Sequence, residues 1–211
     1  MNSAAWQAQS LLLGYPDADL AGRLDLLQRV VRALPTAVGA PLARFVEHAR
    51  RAQPYDLATD YVATFDHRKR CCLFLTYYAH GDTRKRGLAL LRLKQQYAAA
   101  GLRLTEEELP DHLAVVLEYA AAMPEPGAVL LSEHRAGIEL LRLALEDSRS
   151  PWADVLASVS ATLPPLAGDQ RQAVARLAAE GPPEEEVGLE PFAPPEYMPP
   201  GYMPHAQGHR R

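Results

Sequence analysis

Cysteine is nearly absent from this chain: 211 residues carry two, Cys71 and Cys72, and they are adjacent. That spacing excludes a disulfide framework and a CxxC pair, and it fits a reducing compartment. Long apolar runs are missing as well. No uninterrupted stretch of about 18 apolar residues is present to span a bilayer. The N-terminus, MNSAAWQAQSLLLGYPD, has neither the basic first segment nor the apolar length of a secretory signal. A cytoplasmic location without stable membrane association is therefore expected. Glycine-rich phosphate loops are lacking, since GDTRKRG at 81–87 does not have Walker spacing. A sequence pI of about 6.0 and the lack of helix-turn-helix, RNP or zinc-finger signatures weigh against nucleic acid as a partner. The seven histidines are scattered, and no nucleophile with a base or functional carboxylate pair stands out, so no catalysis is expected.

What is present is helical periodicity. Leu20, Leu24, Leu27, Val31 and Leu34 recur at spacings of three and four, and Leu42, Phe45, Val46 and Ala49 mark a helix that Pro41 would open. Leu57, Tyr61 and Phe65 share one face of the next. The almost wholly apolar run Cys71–Tyr78 reads as a buried helix, with a strand as the alternative. Leu90, Leu93, Tyr97 and Ala100 form another stripe, ended by Gly101. Thr105 to Glu108 has capping-box spacing, and Pro110 would open a helix carrying Leu113, Val116, Leu117 and Ala120. Pro124–Gly127 closes that helix. Leu131, His134, Ile138, Leu141 and Leu145 read as one long helix, and Trp152 to Leu163 and Asp169 to Leu177 as two more. The expectation is an all-α, compact single-domain bundle of about eight or nine helices.

Beyond Gly181 the composition changes. Eight of the chain's 18 prolines lie past residue 180, and apolar periodicity stops. Residues 1–181 are expected to form the helical domain, and 182–211 a Pro-rich disordered tail with two similar YMP units.

Charge is unevenly placed. The chain is net -4, yet between Asp66 and Lys94 eight basic residues (Arg68, Lys69, Arg70, Arg84, Lys85, Arg86, Arg92, Lys94) face two acidic ones. This run has three readings: a solvated face, a dock for an acidic or anionic partner, or the contact surface of a small helical regulator that binds nucleic acid or nucleotide through 68–94. Cys71 and Cys72 project about 100° apart on a helix and read as structural rather than as metal ligands.

DYVATFD, RCCLFLTYYAHGDTRKRG and ELPDHLAVVLEYAA resemble the NarJ family, the assembly chaperones (delta subunits) of respiratory nitrate reductase. The resemblance covers roughly residues 6 to 165. It implies a compact helical fold and a non-catalytic chaperone that binds the N-terminal segment of the immature catalytic (alpha) subunit. It also implies that the chain keeps no cofactor of its own and assists insertion of molybdopterin guanine dinucleotide into that partner. The partner-binding residues it implies are Tyr61, Phe65, Arg70, Tyr77, Glu108, Asp111 and His112. For Asp111 two roles stand open: a first-turn charge complementing a helix dipole, or a negative charge presented to the incoming peptide.

Overall fold

Eleven α-helices and one 3-10 turn are found in the computed structural model, which describes residues 2–105, 108–181 and 183. In chain order they are α1 (Ser3–Leu13), α2 (Ala18–Ala33), α3 (Thr36–Arg51), α4 (Pro54–Phe65), the 3-10 turn Lys69–Cys71, α5 (Leu75–His80), α6 (Arg84–Ala99), α7 (Leu113–Ala122), α8 (Pro124–Glu133), α9 (Arg135–Asp147), α10 (Trp152–Ala161) and α11 (Gly168–Glu180). No strand is assigned among the described residues; Phe74 and His112 form one isolated antiparallel bridge. The all-α expectation holds. The expected tail, apart from Pro183, lies outside the described residues.

The bundle is assembled around α1, which packs against α7, α10, α2 and α3. Its apolar residues Trp6, Leu12 and Leu13 are buried, and so are Gln9 and Ser10. Buried polar groups need partners; the Gln9 amide nitrogen and the Ser10 hydroxyl have them, while Gln9 Oε1 has none among the described residues. Gln9 Nε2 donates to Ser158 Oγ at 2.8 Å, Ser158 Oγ donates to the Val38 carbonyl at 2.8 Å, and Ser10 Oγ donates to the Ala114 carbonyl at 2.7 Å. The last carbonyls of a helix lack intrahelical donors. Here Trp152 Nε1 donates to Leu12 O (3.2 Å) and the Tyr61 hydroxyl to Leu13 O (3.0 Å), so α10 and α4 cap α1.

Several boundaries differ from the sequence reading. Pro41 does not open α3; the helix starts at Thr36 and contains it. The backbone bond lost at Pro41 is tolerated because Val38, Leu42, Phe45 and Val46 are all buried, and packing outweighs one missing donor. Cys71–Tyr78 is not one helix: only Leu75–His80 is α-helical, and Cys72 to Phe74 is extended. The apolar run conceals this because its backbone partner is distant in sequence. Leu75 N–H donates to Asp111 O at 2.9 Å, and Leu113 N–H donates to Leu73 O at 2.8 Å.

That pairing also displaces the next helix start: α7 begins at Leu113, with His112 as its N-cap, so Pro110 lies before the helix. Thr105 and Glu108 do meet, with Thr105 Oγ1 donating to Glu108 Oε2 at 3.0 Å, yet neither residue is helical. Pro124 opens α8 rather than closing α7. The stripe from Leu131 to Leu145 is buried as expected, but it belongs to two helices separated at His134. A one-residue break preserves the phase of the apolar pattern, so periodicity does not register it.

Candidate functional site

A cleft of about 690 Å³ opens where the α1–α2 corner faces the start of α7. Tyr15 and Asp17 line it from the corner, Tyr61 from α4, Phe74 from the extended segment, and Glu108, Leu109 and His112 from the connection into α7. Tyr15 is 57% exposed and packs edge-on against Tyr61, with ring centroids 5.6 Å apart. Across the cleft Phe74 and His112 are also edge-to-face, at 5.4 Å. Aromatic side chains beside Leu11, Leu20 and Val115, with polar groups among them, suit an amphipathic segment. Asp17, Glu108 and Glu118 against Arg23 give the rim a negative balance.

The Phe74–His112 wall is held by a network behind it. Asp111 is fully buried. Its Oδ2 accepts from the Thr76 hydroxyl and, at 3.3 Å, from Thr76 N–H. Arg86 reaches in from α6, with Nη2 3.7 Å from Asp111 Oδ2 and Nε donating to Thr76 Oγ1 at 3.3 Å. Its guanidinium lies 5.6 Å from the Phe74 ring centroid, and its Nη1 pairs with Asp82 at 3.0 Å. These contacts compensate Oδ2 and fix the backbone that carries it, while Oδ1 is buried with no hydrogen-bond partner among the described residues. His112 accepts from Ala114 N–H through Nδ1 at 3.3 Å, which requires that nitrogen to be unprotonated. Burial pushes the His112 pKa down from its ordinary 6.5, against the opposing pull of Asp111, Glu108 and Asp66.

The seven residues singled out in the sequence do not form one site. Tyr61, Glu108 and His112 line the cleft. Phe65 is buried behind Tyr61, at 4.7 Å between centroids, and against Trp152 at 5.5 Å. Asp111 is buried and directed at Thr76, so it is neither a first-turn residue of α7 nor a charge presented at the surface. Arg70 and Tyr77 line a second groove of about 720 Å³ with Leu140 and Leu143 of α9 and Leu177 of α11. Sequence reasoning did not single out Tyr15, nor Phe74, which reads as one more apolar residue in a run. Arg86 counted as one basic residue among eight, yet it is turned inward. With Arg68, Lys69 and Arg70 in the second groove, the basic run is divided among separate places.

Cys71 is buried and Cys72 half-buried, and burial raises both thiol pKa values, so neither is poised as a thiolate. Among the described residues no group of three or more His, Cys, Asp or Glu side chains is placed to hold a metal ion. No helix there is long and apolar enough to cross a membrane.

The family model described as the nitrate reductase delta subunit matches residues 31–158. The chain is 40% identical over 158 residues to the nitrate reductase-like protein NarX of Mycobacterium tuberculosis (strain H37Rv), covering 74% of this chain but 24% of that much longer protein. It is 33% identical over 175 residues to the nitrate reductase molybdenum cofactor assembly chaperone NarJ of Escherichia coli (strain K12), covering 81% of this chain and 74% of that one. A solved structure from Archaeoglobus fulgidus, described as a candidate redox enzyme maturation protein, shares the fold. Its TM-score is 0.59 at 23% identity, over 76% of this chain and 92% of that one.

Proposed function

The chain belongs to the nitrate reductase delta subunit family, and on that premise we propose that it is an assembly chaperone for a respiratory nitrate reductase. It binds the immature catalytic subunit through that subunit's N-terminal segment. While bound, it keeps the subunit open for insertion of molybdopterin guanine dinucleotide, and it leaves before the enzyme docks at the membrane. The chain's own work is holding and release, with no covalent step.

The observation that carries this reading is the aromatic cleft between Tyr15, Tyr61, Phe74 and His112. An incoming helix would lay its apolar face between the two aromatic pairs, which supply affinity. The carboxylates of Asp17, Glu108 and Glu118 at the rim favour a segment with basic flanks and set its direction.

The test is calorimetric titration of the full chain with a synthetic peptide copied from the first ~15–20 residues of the catalytic subunit, long enough for an isolated helix to be marginal. Saturable binding that is lost in Phe74→Ala, with the unfolding midpoint little changed, supports the reading. No binding, or unchanged affinity in Phe74→Ala and Tyr15→Ala alike, overturns it.

A further inference from the structure

Helix α6 stands apart from the other described helices in charge, and one of its faces is uncovered. Its sequence, RKRGLALLRLKQQYAA, carries five basic residues and no acidic one, in a chain of net charge -4. It is anchored on one side only: Leu93 and Tyr97 are buried, with the Tyr97 ring 4.6 Å from Tyr119 of α7, and Arg86 is drawn inward to Asp111. On the opposite side Leu88 and Leu91 are 61% and 53% exposed. Three residues apart, they form one ridge. Lys85 and Arg92, seven apart and both exposed, run along one edge of that ridge, and exposed Lys94 lies along the other.

We propose that this outward face of α6 docks reversibly on anionic lipid headgroups, with Leu88 and Leu91 entering the interface and Lys85, Arg92 and Lys94 meeting the phosphates. The inference is independent of the peptide cleft. Leucines flanked by cations on one helical face match the interfacial arrangement, in which long basic side chains extend to the headgroups while the apolar ridge is buried. Neither leucine lines the cleft or the groove described above. A deformable surface fits such a ridge better than a protein pocket does. With two leucines entering the interface, attachment through this face is weak and salt-sensitive, as suits a protein that must also leave.

Vesicle flotation of the full chain tests this. The vesicles are phosphatidylcholine alone, or phosphatidylcholine with about one third phosphatidylglycerol, at about 50 mM and about 300 mM salt. The expected result is capture at least about fivefold greater on the anionic vesicles at low salt, falling at high salt. Leu88→Gln with Leu91→Gln, which leaves every charge in place, should lose most of it; so should Lys85→Gln with Arg92→Gln and Lys94→Gln. All five positions are solvent-facing, so unchanged circular dichroism verifies the fold. Equal capture on both vesicle types, or full capture by the leucine variant, overturns the proposal. Absence of vesicle binding together with weaker retention of the catalytic subunit by the charge variant also overturns it, and assigns the face to an acidic protein surface.

Discussion

Asp111 and Arg86 lie 3.7 Å apart, one fully buried on the connection into α7 and the other projecting from α6, with Thr76 bonded to both. Two segments distant in sequence are thereby fixed against each other behind the aromatic wall of the cleft. Removing the cation strands a buried carboxylate. Arg86→Gln is expected to lower stability by about 2–4 kcal/mol, near the range for breaking buried pairs. In an Asp111→Asn background the same change should cost at least ~1 kcal/mol less, the mark of coupling. Urea denaturation of the four proteins measures this; additive costs would show that the two groups act separately.

The Thr76 hydroxyl donates to the same carboxylate. Thr76→Val conserves shape and leaves that acceptor short of a donor, at about 1–3 kcal/mol. Thr76→Ser keeps the donor and should recover most of the loss, whereas equal destabilisation by both changes would point to the lost methyl instead.

Two aromatic substitutions should separate core from site. Phe65 is buried against Tyr61 and Trp152, so Phe65→Ala is expected to cost about 3–5 kcal/mol of stability. Tyr15 is mostly exposed at the cleft mouth. Tyr15→Ala should leave the unfolding midpoint nearly unchanged and weaken peptide binding about tenfold, or 1.4 kcal/mol. Thermal melts beside titrations decide it; a large stability loss in Tyr15→Ala contradicts its assignment to the site.

His112 sets a pH dependence of folding. Its folded pKa lies below its ordinary 6.5, chiefly through burial. Above 6.5 both folded and unfolded chains carry it neutral, and it contributes no pH dependence. As pH falls through 6.5 the unfolded chain takes up the proton first, so stability declines until the folded pKa is passed. His134, lowered by burial in the same way, adds to the same window. His112→Asn keeps a capping acceptor and removes the titration. Its stability should fall less than wild type between about pH 7.5 and about pH 5.5. Parallel curves would assign the whole effect to other groups.

Much of this architecture was readable as periodicity, and the failures have a common physical origin. The stripes Leu20–Val31 and Leu131–Leu145 are buried as read, because a helix face reports itself through spacing alone. Phe74 could not be read that way, since its extended segment is held by backbone bonds to Asp111 and Leu113, on either side of His112. Asp111 was singled out through a motif, but its role depends on Thr76 and Arg86, far away in sequence. Tyr61 and His112 were legible as candidates; that they share a cleft with Tyr15 depends on the packing of α1 against α7. Local patterns show which residues are interior. Which interior residues meet is set by tertiary contacts that no window of sequence contains.

The interior position of α1 has a consequence for synthesis. Its polar anchors lie at the far end of the fold: Asn2 Nδ2 donates to Thr162 O at 3.1 Å, Trp6 Nε1 to Thr162 Oγ1 at 3.0 Å, and Gln9 Nε2 to Ser158 Oγ at 2.8 Å. A nascent chain makes α1 well before α10 and must wait until α10 has left the ribosome before those donors are met. Domain closure therefore waits for α10, and long-range contacts of this kind slow folding. Until then Trp6, Leu12 and Leu13 present an uncovered apolar helix, and the young chain resembles the clients it is proposed to hold.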